Sequence, residues 1–400
     1  MRALFASIAV LSVLASASSV AAGIVEPGGT PEATRLAITN PDEYAWQLFF
    51  FLNHQARPGV AGLADDSKPF GKVDANASVV WETWALASGG SASEVYKPNG
   101  GRPDDWDKLN RNGRVLILDR NLEREVVLQD AKSLKPFFFP PSPLDQEVRQ
   151  NRGTFEFVVS KEMYNRDGLE GLRDAAVTAH DRQLISFPAT AKEIKAQWLA
   201  IKDTDKPRYF WREIQKPDGT KTVFGLVSLH IITKDLPNWF WADFGHIDCE
   251  TKKGACDTQD QEEAKTNPID STTRGPKAPS EQNGVRQETI GTVWSNYILR
   301  GTQINFVSSI GKATILSNPV IENGFQNSSC MSCHARASVG ARRTDPNGSP
   351  SQGLNRLSPG DPTLGAPNPA LFGAGPGQDE ISYLQTDFIW SAPFRAQRKK

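Results

Sequence analysis

Two thiols three positions apart, with an imidazole on the next residue, make Cys330-Met331-Ser332-Cys333-His334 the segment best equipped for chemistry. Covalent attachment of haem requires two sulfurs that reach the vinyl groups on one porphyrin edge, and an adjacent imidazole that turns back to the iron. The spacing therefore points to haem c, with Cys330 and Cys333 as thioether donors and His334 as the proximal axial ligand through a neutral ring nitrogen. Met331 lies inside the attachment loop and is unsuited to the opposite face. Two other uses of a Cys-x-x-Cys pair stay open: a thioredoxin-like redox couple, which belongs in a βαβ setting not evident here, and half of a zinc site. Zinc would also need Cys249 and Cys256, whose separation is wider than ordinary finger spacing. In an oxidising compartment that pair is expected to form a disulfide closing a short loop.

The second axial position has no donor downstream of the motif. Residues 335–400 contain neither Met nor His, so a sixth ligand must come from upstream or the iron stays open. His230 ends the apolar run Gly225-Leu226-Val227-Ser228-Leu229, and His246 follows Trp239-Phe240-Trp241-Ala242-Asp243-Phe244. Both adjoin apolar surface able to line a pocket, and with Met163 they are the candidate distal ligands. His54 ends an apolar helix, where a cation near the terminal carbonyls has a structural reason, and His180 lies in a polar stretch.

The elements that must position these groups are mixed. Arg2, the apolar run Ala3 to Leu14 and the small-residue tail Ala15 to Ala22 read as a signal peptide over 1–22, which places the mature chain in a Gram-negative periplasm. No later segment approaches the roughly 20 apolar residues of a transmembrane helix, so no integral membrane segment is expected after cleavage. A formal net charge of −1, from 45 basic and 46 acidic residues, gives no reason to expect nucleic acid as a partner. Residues 23–290 read as a mixed α/β region. Pro41-Asp42-Glu43 opens a buried helix to His54, Val115–Leu118 and Phe155–Val159 suggest strands, and Lys161 to Ala176 suggests a helix. Tyr209–Gln215, the turn 217–220 and Thr222–Ile232 read as a β-hairpin. A polar excursion runs from Thr251 to Glu288, and Asp345 to Gln378, rich in Pro and Gly, is expected to be irregular. Ile381 to Phe394 regains an apolar character and is expected to pack back. The fold class is α+β, with an antiparallel sheet packed against a mainly helical, haem-binding region over 291–400.

Leu229-His230-Ile231, Trp239 through Asp248, Trp294-Ser295-Asn296-Tyr297, Gly301-Thr302-Gln303 and the haem pentapeptide together resemble a family of exported, single-haem cytochrome c-like proteins of proteobacteria. The resemblance covers the second half of the chain, and Phe187-Pro188 through Trp198 more faintly. It implies haem and periplasm, and it places both His230 and His246 within recurrent motifs, but it implies no reaction. The expected function is single-electron transfer with a periplasmic redox partner, a dehydrogenase or a terminal oxidase or reductase. The alternatives are a haem enzyme or small-ligand sensor with an open iron, suggested by a chain far larger than one haem requires, and a binding module docked beside a dehydrogenase.

Overall fold

Capping residues and buried spacing account for the helices. Thr30 caps α1 (Pro31–Thr39) by accepting the Ala33 N–H, and α2 (Pro41–Leu52) opens on a proline that needs no N–H partner. α2 buries Tyr44, Trp46, Phe49, Phe51 and Leu52, so it is an embedded helix rather than a surface one. Residues 155–159, expected as a strand, are helical in α3 (Arg152–Ser160). The physical reason is Asn151, whose Oδ1 accepts the N–H of Thr154 and that of Lys192, fixing a helix start against the neighbouring strand. The buried Phe155 and Val158 then lie three apart on one helix face. α4 (Arg166–Ala179) begins after the cap Asn165 and ends at His180 in a left-handed conformation, φ 52°.

The structure, a computed structural model, describes residues 24–74, 77–88, 92–109, 145–215, 221–251, 256, 281–282, 285–318, 320, 328–345, 348, 351, 353–357, 364–374 and 380–400. The expected signal peptide, the strand at 115–118, the turn at 217–220 and most of the polar excursion after Thr251 lie outside these residues. No helix among the described residues is long and apolar enough to cross a membrane.

The sheet is antiparallel throughout. Its strands are β1 (Ala85–Leu86), β2 (Asp145–Gln150), β3 (Lys192–Ala200), β4 (Trp211–Gln215), β5 (Lys221–Thr233) and β6 (Phe240–His246), followed by α5 (Ile247–Thr251). After the isolated pair β7 (Glu281–Gln282) and β8 (Val285–Arg286), β9 (Tyr297–Gln303) completes it. The order is β1-β2-β3-β5-β6-β9. β4 and β5 form the expected hairpin, in register from Gln215 opposite Lys221 to Trp211 opposite Gly225. β9 lies beyond residue 290, so one sheet draws on both sequence regions. The remaining elements are α6 (Cys330–His334), the strand pair β10 (Ser338–Gly340) and β11 (Tyr383–Gln385), and α7 (Ser391–Arg395). The α+β class stands. A mainly helical 291–400 does not: among its described residues α-helix is confined to α6 and α7, and three strands share the region. The Pro and Gly of 345–378 leave one 3-10 turn, Pro369–Phe372, as the regular structure described there.

Strand alternation divides the sheet into two unlike faces. Ile194, Leu229, Ile231, Ala242 and Phe244 face α2, where the Phe49 and Phe244 rings are 4.4 Å apart and Trp46 meets Phe244 edge-on at 5.0 Å. Each fully buried ring of this kind is worth roughly 1.5–3 kcal/mol. The opposite face carries Lys195, His230 and Asp243 in direct register across β3, β5 and β6. The Cys330–His334 turn and the C-terminal segment cover that face: Trp241 meets the His334 ring, and Ser391 donates to Glu193.

Candidate functional site

α6 is a single helical turn, too short to stand alone, and β9 holds it. Ser329 caps it through Oγ, which accepts the Ser332 N–H at 3.1 Å. The Gln303 amide straddles the turn: its Nε2 donates to Ser329 Oγ at 2.7 Å, and its Oε1 accepts the Met331 N–H at 3.1 Å. The Cys330 N–H donates to the Leu316 carbonyl at 3.2 Å. Cys330 is buried, Cys333 half-buried, and both are thiols outside any disulfide. Cys249 and Cys256 are joined as a disulfide with Cα atoms 5.3 Å apart, the pairing expected from their sequence.

The His334 ring is fixed on two sides. Trp241 packs against it edge-on at 4.7 Å, and Nδ1 lies 2.8 Å from the Phe388 carbonyl oxygen. A carbonyl only accepts, so Nδ1 carries the proton and the lone pair sits on Nε2. Burial, with the nearby Lys195 charge adding to it and the Phe388 carbonyl opposing, pulls the imidazole down to about 4, so it is neutral at physiological pH. The carbonyl is aimed by a strained turn, since Asp387 (φ 48°) and Phe388 (φ 70°) are both left-handed non-glycine residues. Asp387 is held there by three donors: Lys234 Nζ at 2.6 Å and Trp239 Nε1 at 3.3 Å to Oδ1, and the Phe187 N–H at 2.8 Å to Oδ2.

His230 sits on the same sheet face, one strand from Trp241 and two residues along. Desolvation, then the charges of Lys195, Arg300 and His334, hold its pKa well below the ordinary histidine value. Its Nε2 is 3.2 Å from Asp243 Oδ1 but outside hydrogen-bonding geometry, and it makes no hydrogen bond. A bulge in β9 between the residues opposite Asp243 and Phe244 turns Arg300 onto this face, where Nη1 donates to Asp243 Oδ2 and to the Ser317 carbonyl. Asn318 donates to Asp243 Oδ1 at 2.9 Å. Thus Lys195, His230, Asp243 and Arg300 form one polar row beside His334.

The other candidates are placed differently. His246 is fully buried with both nitrogens committed: Nδ1 accepts the Asp248 N–H at 3.1 Å, so Nε2 carries the proton and donates to the Arg208 carbonyl at 3.0 Å. Its ring stacks on Tyr209 at 3.8 Å. Met163 is fully buried in the turn between α3 and α4. His54 follows α2 with Nδ1 near the Gln55 carbonyl, and His180 is exposed at the end of α4.

Sequence reasoning missed Phe388, Asp387, Lys195, Asp243, Arg300 and Gln303. Two carried a readable signal: Asp243 interrupts an aromatic run, and Lys195 sits at an inward position of an alternating strand.

The residues fit a haem. Two thiols lie on one turn beside a neutral imidazole whose Nδ1 is spent on a carbonyl, which puts the lone pair on Nε2. Comparison with known proteins returns no match: no family model, no curated protein and no solved structure aligns significantly with the chain.

Proposed function

We propose that this protein is an exported monohaem c-type cytochrome that exchanges single electrons with a periplasmic redox partner. The observation that carries the reading is the His334 Nδ1–Phe388 carbonyl hydrogen bond, which leaves Nε2 as the donor beside Cys330 and Cys333. In this reading Cys330 and Cys333 would hold the haem covalently, His334 would ligate its iron, and His230, neutral and with Nε2 uncommitted, would be the second iron ligand. Haem held there would supply one-electron exchange between ferric and ferrous iron. The resemblance to exported cytochrome c-like proteins supports the same assignment.

A neutral carbonyl behind His334 favours a carrier over a peroxide-cleaving catalyst. A carboxylate in that place would push electron density onto the imidazole and towards the iron, whereas a backbone carbonyl leaves an ordinary neutral donor. His246 could offer an iron its Nδ1 lone pair only by giving up the hydrogen bond from the Asp248 N–H. One observation favours the second reading, a ligand-binding or catalytic haem: His230 lies against Asp243 rather than standing clear, and if it stays there the iron is left open beside a cationic row.

Optical and EPR spectra of protein purified from a periplasmic fraction separate these. The carrier reading predicts covalently retained haem, a low-spin spectrum insensitive to carbon monoxide, and conversion to a high-spin, carbon monoxide-binding form in His230→Ala. Absence of covalent haem overturns the assignment altogether. Ready carbon monoxide binding by the unaltered protein transfers it to the open-iron reading.

A further inference from the structure

Several guanidinium groups withdrawn from water in this protein are paired with carboxylates. Arg149 pairs with Glu147, Arg300 with Asp243, Arg286 with Glu43, and Arg398 with both Asp167 and Glu170. Arg356 differs from these. It is half-buried, yet it makes no hydrogen bond or ion pair with any described residue. Its neighbours fix it in place: the Asn355 carbonyl accepts the Gly340 N–H at 2.7 Å, and the Leu357 N–H donates to Ser338 Oγ at 3.2 Å, so the segment runs along β10.

The surroundings raise the cost of leaving this cation alone. Burial first, and then the like charge of Arg166, pull Arg356 down to about 10, still fully protonated at neutral pH. Arg166 is itself anchored, its Nε donating to the Ala396 carbonyl at 2.8 Å. The acids of the adjoining first turn of α4, Asp167 and Glu170, are already engaged by Arg342 and Arg398. One face of Arg356 is covered by the Phe394 ring at 4.4 Å, which leaves the in-plane N–H fork for a planar partner. Phe394 stacks on Trp390 at 4.6 Å, and the Trp390 indole N–H donates to the Cys333 carbonyl at 3.1 Å. The uncompensated cation therefore adjoins the thiol motif.

We propose that Arg356 is a binding site for a carboxylate that none of the described residues supplies. Two sources share that chemistry: a free small carboxylate, and a propionate of the haem, the latter resting on the function proposed above. Two physical facts favour a carboxylate over a simple halide: the planar fork matches its two oxygens, and bidentate charge-assisted bonds offset the desolvation of the guanidinium.

The test uses the full-length purified protein with Arg356→Ala and Arg356→Lys. In the first arm, melting temperature is followed against malonate, with sodium chloride at matched ionic strength. A free-carboxylate site gives a malonate-specific rise that is absent in Arg356→Ala. In the second arm, the midpoint potential is measured. A propionate site leaves malonate without effect, lowers the potential in Arg356→Ala because a positive charge near the iron is lost, and restores most of it in Arg356→Lys. Equal effects of malonate and chloride combined with unchanged potentials overturn the proposal. If no covalent haem is found, the proposed function fails and the malonate arm alone decides this one.

Discussion

Replacing Asp387 with alanine tests whether the strained turn positions His334. The carboxylate forms a buried pair with Lys234, the two side chains 9% and 11% exposed. Removing one partner of such a pair costs about 3–5 kcal/mol. Lys234 keeps its bond to the Pro237 carbonyl, which favours the lower end, while the Phe187 N–H loses its acceptor at about 1–3 kcal/mol. These terms share one side chain and do not add fully, so the expected loss is about 4 kcal/mol. Alanine also tolerates the left-handed conformation at 387 less well than aspartate, so the turn is expected to relax and carry the Phe388 carbonyl away from Nδ1. Asp387→Asn keeps that tolerance and an acceptor for the Phe187 N–H, and is expected to lose roughly half as much. Denaturant unfolding gives the stability, and the imidazole nitrogen resonances of His334 give the tautomer and the hydrogen bond. A loss below about 1 kcal/mol in Asp387→Ala refutes the argument that buried pairing holds the turn. A large loss with unchanged His334 resonances refutes the coupling between the turn and the imidazole.

Gln303→Leu leaves the Met331 N–H without its acceptor and Ser329 Oγ without its donor, and is expected to destabilise by about 2–4 kcal/mol and to lower the yield of haem attachment, measured by haem staining after denaturing electrophoresis. Burial raises the Glu193 carboxyl above its ordinary 4.5, so its contribution to stability is complete below that value and falls as pH rises through the folded-state pKa. Glu193→Gln cannot ionise and should gain on the unaltered protein from about pH 4.5 upwards in paired melts; a pH-independent difference would falsify the burial argument. Removing the Cys249–Cys256 bond by Cys249→Ala opens a loop of sequence separation 7 and should cost about 2–3 kcal/mol in urea unfolding.

What was legible in the sequence was local. The β4–β5 hairpin, the disulfide and the return of 381–394 onto the core all depend on short spacings, and each has its counterpart in the fold. α3 was misread because Phe155 to Val159 carries β-branched and aromatic residues, while the deciding group, Asn151, acts through a strand forty residues away. Phe388 could not be found, because its contribution is a backbone carbonyl and its side-chain type says nothing about where that oxygen points. Arg300 needed the β9 bulge, since regular alternation would have put it on the other face.

The two sheet faces explain why the polar row matters to function. A sheet face covered by other elements is normally apolar, as the α2 side is; charges there are costly unless paired. On the opposite face Lys195, His230, Asp243 and Arg300 are placed beside His334, a neutral imidazole whose Nδ1 is held by the Phe388 carbonyl. Burial is the main cause that disfavours protonation of both His230 and His334, and the Lys195 charge adds to it in each case. An iron ligand must be an unprotonated imidazole, so under the proposed reading this arrangement would leave two neutral histidines able to bind metal. It is the distribution that the proposed electron-carrier reading calls for. A site that moved protons would need the opposite, a histidine kept near its ordinary pKa.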